Sequence, residues 1–372
     1  MTPARLAFLI LLAHAPLTAQ NAPSAESWLR RLTLREKAAQ LVMVPFYGSI
    51  PNVRTRQYQE LHALVAETRV GGLILLNRVV RGNVERADPY AVAAFLNRMQ
   101  KLARLPLIAG GDFERGASMR VEGTAEFPHA MAFGAAGDPA LTRALGAATA
   151  REARAMGIHW VFAPVADVNN NPANPVIHLR AFGEDPGEVA KHVRAFIEGA
   201  PSPKERPVLV TAKHFPGHGD TADDTHYGLA TVTAPPERLR ALELVPFRAA
   251  IEAGVDSIMT AHVTVPALEP AGLPATVSPA ILTQLLRREL GLLVVTTGHI
   301  GMWGHYLTPR AEAGHGRALE RCNGGLPLLT ARLFLKLDSQ QLLLLLVQLR
   351  RFGRRHRGQE AVHRVERSIY VV

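Results

Sequence analysis

Residues 208–226 read VLVTAKHFPGHGDTADDTH, and this stretch decides the fold class. Its first five residues form a near-continuous apolar run, the pattern of a parallel strand that is buried on both faces. The sequence then becomes polar, and Pro216, Gly217 and Gly219 prevent a helix there. Polar side chains therefore follow the carboxyl end of a buried strand, where (β/α)8 barrels carry their active sites.

Six further apolar runs of similar length lie on either side of this strand. Helical stretches with recognisable ends separate the runs. Seven β-α units in sequence, with polar loops after the third, fourth and fifth strands, predict an α/β fold of the TIM-like (β/α)8 barrel type rather than a doubly wound sheet. The seven predicted strands are Leu41–Phe46, Gly72–Leu76, Leu105–Gly110, His159–Val165, Val208–Ala212, Ser257–His262 and Leu292–Thr296.

The helix ends follow known capping chemistry. Thr33 and Glu36 form the two ends of a capping box. Four further starts place an N-cap residue before proline, and three glycines occupy positions typical of helix C-termini. These signals are Asp88-Pro89, Asp138-Pro139, Asp185-Pro186 and Ser278-Pro279 at the starts, and Gly157, Gly254 and Gly291 at the ends.

The pattern changes after Thr297. The segment 298–372 is rich in Gly, His and Arg, includes five consecutive leucines at 342–346, and shows no eighth β-α unit. We therefore expect the last unit of the barrel to be aberrant or missing, and divide the chain into a leader (1–20), a barrel domain (21–297) and a basic, Leu-rich tail. A membrane-surface helix in the tail is disfavoured, because consecutive leucines do not lie on one helix face.

Composition excludes several classes of protein. Hydrophobic residues make up 48% and charged residues 20% of the 372 residues, which is typical of a globular chain. The net charge is +10, but 12 Lys and Arg against 5 Asp and Glu within 298–372 account for +7 of it. The basicity is confined to the tail, and we predict no nucleic-acid partner. The single Cys322 cannot form an intramolecular disulfide.

The first 20 residues are typical of a secretory signal peptide. Arg5 precedes the apolar run Leu6–Leu17, and small residues follow at Thr18 and Ala19. The run is too short to span a bilayer, so we predict no stable membrane insertion and a secreted or periplasmic protein.

Three interpretations of the 213–226 loop remain open. His214 and His218 have the spacing of a helical metal pair, but Pro216 and Gly217 break that helix, and no metal site is predicted. The histidines and aspartates could also satisfy one another structurally. We favour acid/base chemistry, in which Asp224 orients His226 and His226 transfers a proton.

The segment KHFPGHGDTADDTH resembles the signature of the β-N-acetylglucosaminidase branch of glycoside hydrolase family 3, with Thr225 where that signature has serine. The resemblance extends from about Thr33 to Thr296. It implies a TIM-like barrel that removes terminal N-acetylglucosamine, from peptidoglycan fragments or chitooligosaccharides for example, with retention of configuration. It implies a carbohydrate partner and no cofactor.

The resemblance also implies a set of sugar-binding residues. An aspartate after the third strand, an arginine eight residues later, an arginine before Phe-Gly and a Lys-His pair grip the sugar hydroxyls in this family. The corresponding residues are Asp112, Arg120, Arg180, Lys213 and His214. Charged groups form strong hydrogen bonds to hydroxyls. Asp167 and Asp185 are expected to be structural, and Asp185 to cap a helix.

The chain departs from the family pattern at Thr297. The family has its nucleophilic aspartate at this position, and a retaining mechanism requires a carboxylate there. A shift of reading frame from about Thr297 would account for the lost aspartate and the unusual tail together. The alternative is a homologue that binds carbohydrate without cleaving it.

Overall fold

The computed structural model describes residues 25–48, 52–80, 83–200, 208–223, 229–292, 294–297 and 370–371. Its centre is a curled sheet of seven parallel strands, in the order β11-β9-β7-β6-β5-β2-β1, with helices packed outside it. The predicted TIM-like α/β fold is confirmed. The seven strands are β1 Val42–Phe46, β2 Gly72–Leu75, β5 Ile108–Gly111, β6 Trp160–Val161, β7 Leu209–Phe215, β9 Ser257–Thr260 and β11 Val295–Thr297.

Short strands and helices complete the described part of the chain. Two small sheets pair β3 Val79–Val80 with β4 Asn83–Val84, and β8 Ala230–Thr231 with β10 Val263–Thr264. The α-helices are α1 Ala25–Arg31, α2 Leu34–Ala39, α3 Arg56–Ala63, α4 Pro89–Leu102, α5 Ala130–Ala136, α6 Pro139–Ala155, α7 Pro186–Gly199, α8 Pro236–Ala241 and α9 Val245–Glu252. Leu64–Thr68 and Ala280–Glu289 are π-helical, and Ala117–Met119, His178–Arg180 and Ala275–Val277 are 3-10 turns.

The predicted helix ends are present. Thr33 and Glu36 form a reciprocal capping box, and Asp88, Asp138 and Asp185 each accept a backbone N–H in the first helical turn. Ser278 likewise accepts the N–H of Ile281. The three predicted C-terminal glycines, at 157, 254 and 291, have positive φ angles of 79–82°.

All seven strands differ from their predicted bounds by at least one residue, and the hydrogen bonds at β5, β6 and β7 are informative. β5 begins at Ile108, not Leu105, because the side chain of Gln100 bonds both the N–H and the C=O of Leu107. The regular part of β6 ends at Val161, although hydrogen bonds to the neighbouring strands continue beyond it, from Phe162 to Gly111 and from Thr211 to Ala163. β7 continues through Lys213 and His214 to Phe215, so these two residues lie in the strand and not in the loop that follows it.

The sheet has a distinct core on each face. Alternate strand residues such as Leu73 and Leu75 pack outward against the helices in the main cluster. Met43, Ile74, Trp160, Phe162 and Met259 form a smaller cluster that, by strand alternation, occupies the inner face. The inner face is tightly filled, because a Cβ on Gly110 would lie 2.8 Å from the Phe162 ring.

The parallel sheet ends at β11. Beyond the Thr297 boundary the described chain consists of β12, Tyr370–Val371, which pairs antiparallel with β1 at Val42 and Met43. An eighth parallel strand is not part of the described residues. None of the described helices is long and apolar enough to cross a membrane.

Candidate active site

A buried ion cluster lies at the carboxyl ends of β5 and β7. The Lys213 side chain is 2% exposed, and its Nζ lies 2.8 Å from Asp112 Oδ1 and 2.7 Å from Glu114 Oε1. Asp112 and Glu114 follow β5 at alternate positions and both reach Lys213. Lys213 on β7 thus bonds two carboxylates that both follow β5, although β6 lies between these two strands.

Arg180 joins the same cluster from the 3-10 turn His178–Arg180. Its Nε and Nη2 donate to the two oxygens of Glu114 at 2.9 and 2.8 Å, a bidentate pair. Its Nη2 also lies 3.3 Å from His214 Nε2. Glu114 therefore holds both Lys213 and Arg180.

Arg120 flanks Asp112 at a longer distance than Lys213 does. The short 3-10 turn Ala117–Met119 carries the chain back so that Arg120 Nη2 lies 3.5 Å from Asp112 Oδ2. Its Nη1 lies 3.5 Å from Asn77 Oδ1, at the end of β2. The buried Nε of Arg120 has no hydrogen-bond partner among the described residues.

The charges of this cluster keep both carboxyls ionised. Burial alone would raise the pKa of Asp112, but Lys213 and Arg120 outweigh it and hold that pKa below its ordinary value. Burial likewise opposes ionisation of Glu114, yet Lys213 and Arg180 hold its pKa well below the usual range. The pKa of Arg180 is raised, because Glu114 more than offsets the cost of burial.

Asp167 orients His214. One oxygen, Oδ2, lies 2.7 Å from His214 Nδ1 and accepts the His214 backbone N–H at 3.1 Å, while Oδ1 accepts the N–H of His218 at 2.7 Å. Burial is the largest influence on His214 and lowers its pKa to about 4, although Asp167 opposes this. His214 is thus neutral near pH 7, and with Nδ1 donating to Asp167 its Nε2 is an acceptor.

The loop after β7 is fixed at its base. Asn174 Nδ2 donates to the carbonyls of His218 and Gly219 and lies 3.2 Å from Thr221 Oγ1, and Thr221 bonds His218 Nδ1 at 2.8 Å. Arg238 bonds Asp220 at 2.8 Å. These contacts hold the chain up to Thr221, three residues before Asp224 of the predicted catalytic pair.

The predicted pair itself, Asp224 and His226, lies outside the described residues, and its role stays a prediction. Thr297 is the last residue of β11. It pairs with Thr260, and Thr260 in turn pairs with Phe215, the residue after His214. Strand register therefore places position 297 level with the Lys213-His214 end of β7.

The structure brings together all five residues that were predicted to bind sugar. It adds two that the sequence analysis missed, Glu114 as the partner of Lys213 and Arg180, and Asp167, which was treated as structural but holds His214. One feature of the sequence could have identified Glu114 as a site residue. Glu114 lies two residues after Asp112 next to a strand end, where alternate side chains share a side. Asp185 caps α7 as predicted.

Within the described ranges, no group of three or more His, Cys, Asp or Glu residues has the geometry to hold a metal ion. His214 and His218 do not form a metal pair in this arrangement. Their rings are 6.2 Å apart, and their Nδ1 atoms bond Asp167 and Thr221 respectively.

Comparison with known proteins identifies the family. The sequence profile of the Glycosyl hydrolase family 3 N terminal domain matches residues 33–313, extending past Thr296 into residues outside the described structure. Beta-hexosaminidase A of Pseudoalteromonas piscicida is 36% identical over 263 residues, which are 64% of this chain and 42% of that protein. A beta-hexosaminidase of Xanthomonas euvesicatoria is 36% identical over 241 residues, 63% of this chain and 68% of that protein.

A solved structure agrees in fold. The glycoside hydrolase family 3 beta-N-acetylglucosaminidase of a Paenibacillus species superposes with a TM-score of 0.68 at 37% identity, covering 90% of this chain and 61% of that one. The chain spans less than half the length of two of the curated relatives, 42% and 48%. The profile match, the identity and the shared fold together place the chain in glycosyl hydrolase family 3.

Proposed function

We propose that this protein is a retaining β-N-acetylhexosaminidase that removes terminal N-acetylglucosamine from glycans. The observation that carries the proposal is the buried cluster of Asp112, Arg120, Arg180, Lys213 and His214 at the carboxyl edge of the sheet. Relatives named beta-hexosaminidase, and a structure titled as a beta-N-acetylglucosaminidase, support the same activity. Polar groups that converge at this edge of a barrel are typical of a substrate site.

In this proposal the cluster holds the terminal sugar in one orientation. Ionised Asp112 accepts from sugar hydroxyls, Lys213 and Arg120 donate to them, and neutral His214 accepts through Nε2. Because these groups are already fixed by one another, the sugar binds to a site that needs little reordering. His226, supported by Asp224, then protonates the oxygen of the departing group.

Thr297 weakens the covalent step. Retention requires a carboxylate that attacks the anomeric carbon and forms a glycosyl-enzyme, which water then opens. A threonine hydroxyl carries no charge, and Asp112, Glu114 and Asp167 are each engaged by neighbouring groups. We therefore propose that this chain binds its sugar tightly and turns it over slowly.

We further propose that the protein is exported and acts on peptidoglycan fragments or chitooligosaccharides in the periplasm or outside the cell. The signal-like segment before residue 21 supports this. The mass of the N-terminal peptide of protein recovered from an exporting host tests it. Cleavage near residue 20 is expected, and an intact Met1 in exported material would contradict it.

The activity is tested by release of chromophore from an aryl β-N-acetylglucosaminide by the purified chain. Turnover is expected, and His226→Ala should abolish it while sugar binding, measured by calorimetry, persists. The matched control is His129→Ala, an exposed histidine before α5, which should leave turnover unchanged. Sugar binding without any turnover would replace the hydrolase with a carbohydrate-binding homologue.

A further inference from the structure

A cavity opens next to the ion cluster. It encloses about 420 Å³, and three arginines line it, Arg86, Arg115 and Arg120, together with Ser118, Met119 and Glu126. Arg120 belongs both to this cavity and to the cluster, because its Nη2 lies 3.5 Å from Asp112. The cavity and the proposed sugar site therefore share one side chain, that of Arg120.

Two of these arginines have unused hydrogen-bonding capacity. Both Arg120 side-chain contacts, to Asp112 and Asn77, are long at 3.5 Å, and its buried Nε is without a partner among the described residues. Arg115 is half-buried, and its guanidinium forms no hydrogen bond or ion pair within the described ranges. Glu126 acts on it only as a nearby charge. Buried donors are normally satisfied, so the buried Nε of Arg120 is suited to a ligand, and the half-buried Arg115 adds a guanidinium that no described residue bonds.

The cavity carries excess positive charge. Its three guanidinium groups face one lining carboxylate, Glu126, which is exposed and bonds Arg86 at 2.6 Å. Asp112 balances Arg120 from the side of the ion cluster, which leaves the charge of Arg115 without a direct counterpart. Guanidinium groups bind planar carboxylates and tetrahedral oxyanions through paired donors.

We propose that this cavity is an anion subsite that binds a carboxylate, sulfate or phosphate carried by the saccharide held in the ion cluster. The proposal rests on the proposed function, since it requires a sugar at Asp112 and Lys213. An anion bound to Arg120 would be separated from such a sugar only by the Arg120 side chain. The charged group belongs either to the terminal sugar or to its neighbour in the glycan, and both share this chemistry.

Calorimetric titration of the full chain with four ligands tests the proposal. N-acetylglucosamine is compared with its 6-sulfate, and N,N′-diacetylchitobiose with the disaccharide whose second sugar bears a lactyl carboxylate. One anionic ligand should bind about tenfold more tightly than its neutral counterpart, the effect of one charge-assisted contact. The pair that shows the gain identifies which sugar carries the anion, and the gain should shrink in 1 M NaCl.

Two variants and a control test whether the gain in affinity for the anionic ligand depends on the cavity. Arg115→Gln should abolish it while leaving the affinity for neutral N-acetylglucosamine unchanged. Glu126→Gln should increase it, because the competing carboxylate is gone. Arg98→Gln, an exposed arginine on α4 outside the cavity, is the matched control and should have no effect. Far-ultraviolet circular dichroism checks that each variant is folded.

The results separate the subsite from the proposed function. Equal affinities within both pairs, with the neutral sugars still bound, would overturn the anion subsite alone. A gain that survives Arg115→Gln would place the anion elsewhere and also overturn it. No binding by any of the four ligands would overturn the sugar site and the subsite together.

Discussion

Glu114 is the residue on which the ion cluster depends, because its carboxylate holds the buried Lys213 and the partly exposed Arg180. Replacing it by glutamine leaves Lys213 and Arg180 without their shared charge, and breaking a buried pair costs about 3–5 kcal/mol. We expect Glu114→Gln to lose about 3 kcal/mol of unfolding free energy in urea. Glu60→Gln, at an exposed pair with Arg56, should lose less than about 1 kcal/mol. Equal losses would show that Glu114 is an ordinary surface partner.

The Glu114 carboxyl also makes the stability of the folded protein depend on pH. Its pKa is held well below the ordinary value in the folded state, so its contribution to stability is complete above about pH 4.5 and is lost as the pH falls toward the lowered value. The Glu114→Gln variant should therefore lose less stability on acidification than the unaltered protein. Urea midpoints at pH 3 and pH 7 measure this. If the variant and the unaltered protein lost equal stability between pH 7 and pH 3, Glu114 would not be the group that titrates.

His214 titrates in a different pH window. Burial lowers its folded-state pKa to about 4, below the ordinary value of 6.5, so the unfolded chain binds the extra proton first. Stability should fall as the pH is lowered from about 6.5 to 4. His214→Asn, whose amide can still donate to Asp167, should flatten this part of the profile in urea titrations. An unchanged slope would show that His214 is not the group responsible.

At the scale of elements, the loop after β7 rests on α8 and α9 through Glu243, between those helices. Glu243 is 1% exposed, accepts from Asn170 at 3.1 Å, and its side chain lies against Gly217. Burial raises the pKa of Glu243. A Cβ on Gly217, which has φ +127°, would lie 2.8 Å from Glu243 Cβ and Cγ, so this residue must be glycine for the loop to keep its course.

We expect Gly217→Ala to lower kcat at least about tenfold with a smaller change in KM, because the displaced loop carries the proposed proton donor while the ion cluster stays in place. Gly137→Ala is the matched control, since Gly137 also has positive φ but a Cβ there meets nothing within 4 Å. Gly137→Ala should lower the free energy of unfolding without changing kcat or KM. Steady-state kinetics measures both. Equal losses of kcat in the two variants would show that the course of the loop at Gly217 does not position the proton donor.

The sequence predicted elements better than contacts. The seven strands were found because each is a near-continuous apolar run, and the helix ends because capping residues act over three or four positions. Glu114, Asp167 and Glu243 were missed as partners because their contacts join residues far apart in the chain. Arg180 and Glu114 are 66 residues apart, for example. The extension of β7 was missed because it rests on backbone bonds between distant residues, from Lys213 to Pro164 and from Ala261 to Phe215, which no local pattern reveals.

At the level of the whole molecule, the position of β11 in the sheet bears on the proposed reaction. Strand register sets Thr297 level with the end of β7, through Thr260. Thr297→Asp should therefore increase hydrolysis of an aryl β-N-acetylglucosaminide by at least about a hundredfold, because it supplies the attacking carboxylate. Thr297→Asn, which has the same shape without the charge, should not. Equal rates for the two variants would show that position 297 does not face the anomeric carbon.

The central claim is that the ion cluster of β5 and β7 is the site that holds the sugar. A crystal structure of the chain with bound N-acetylglucosamine tests it most directly, through the distances from the sugar hydroxyls to Asp112, Lys213 and His214. Hydrogen bonds of about 2.7–3.2 Å are expected from hydroxyls of one sugar ring to these side chains. A sugar bound elsewhere, with the three side chains still bonded only to their protein partners, would contradict it.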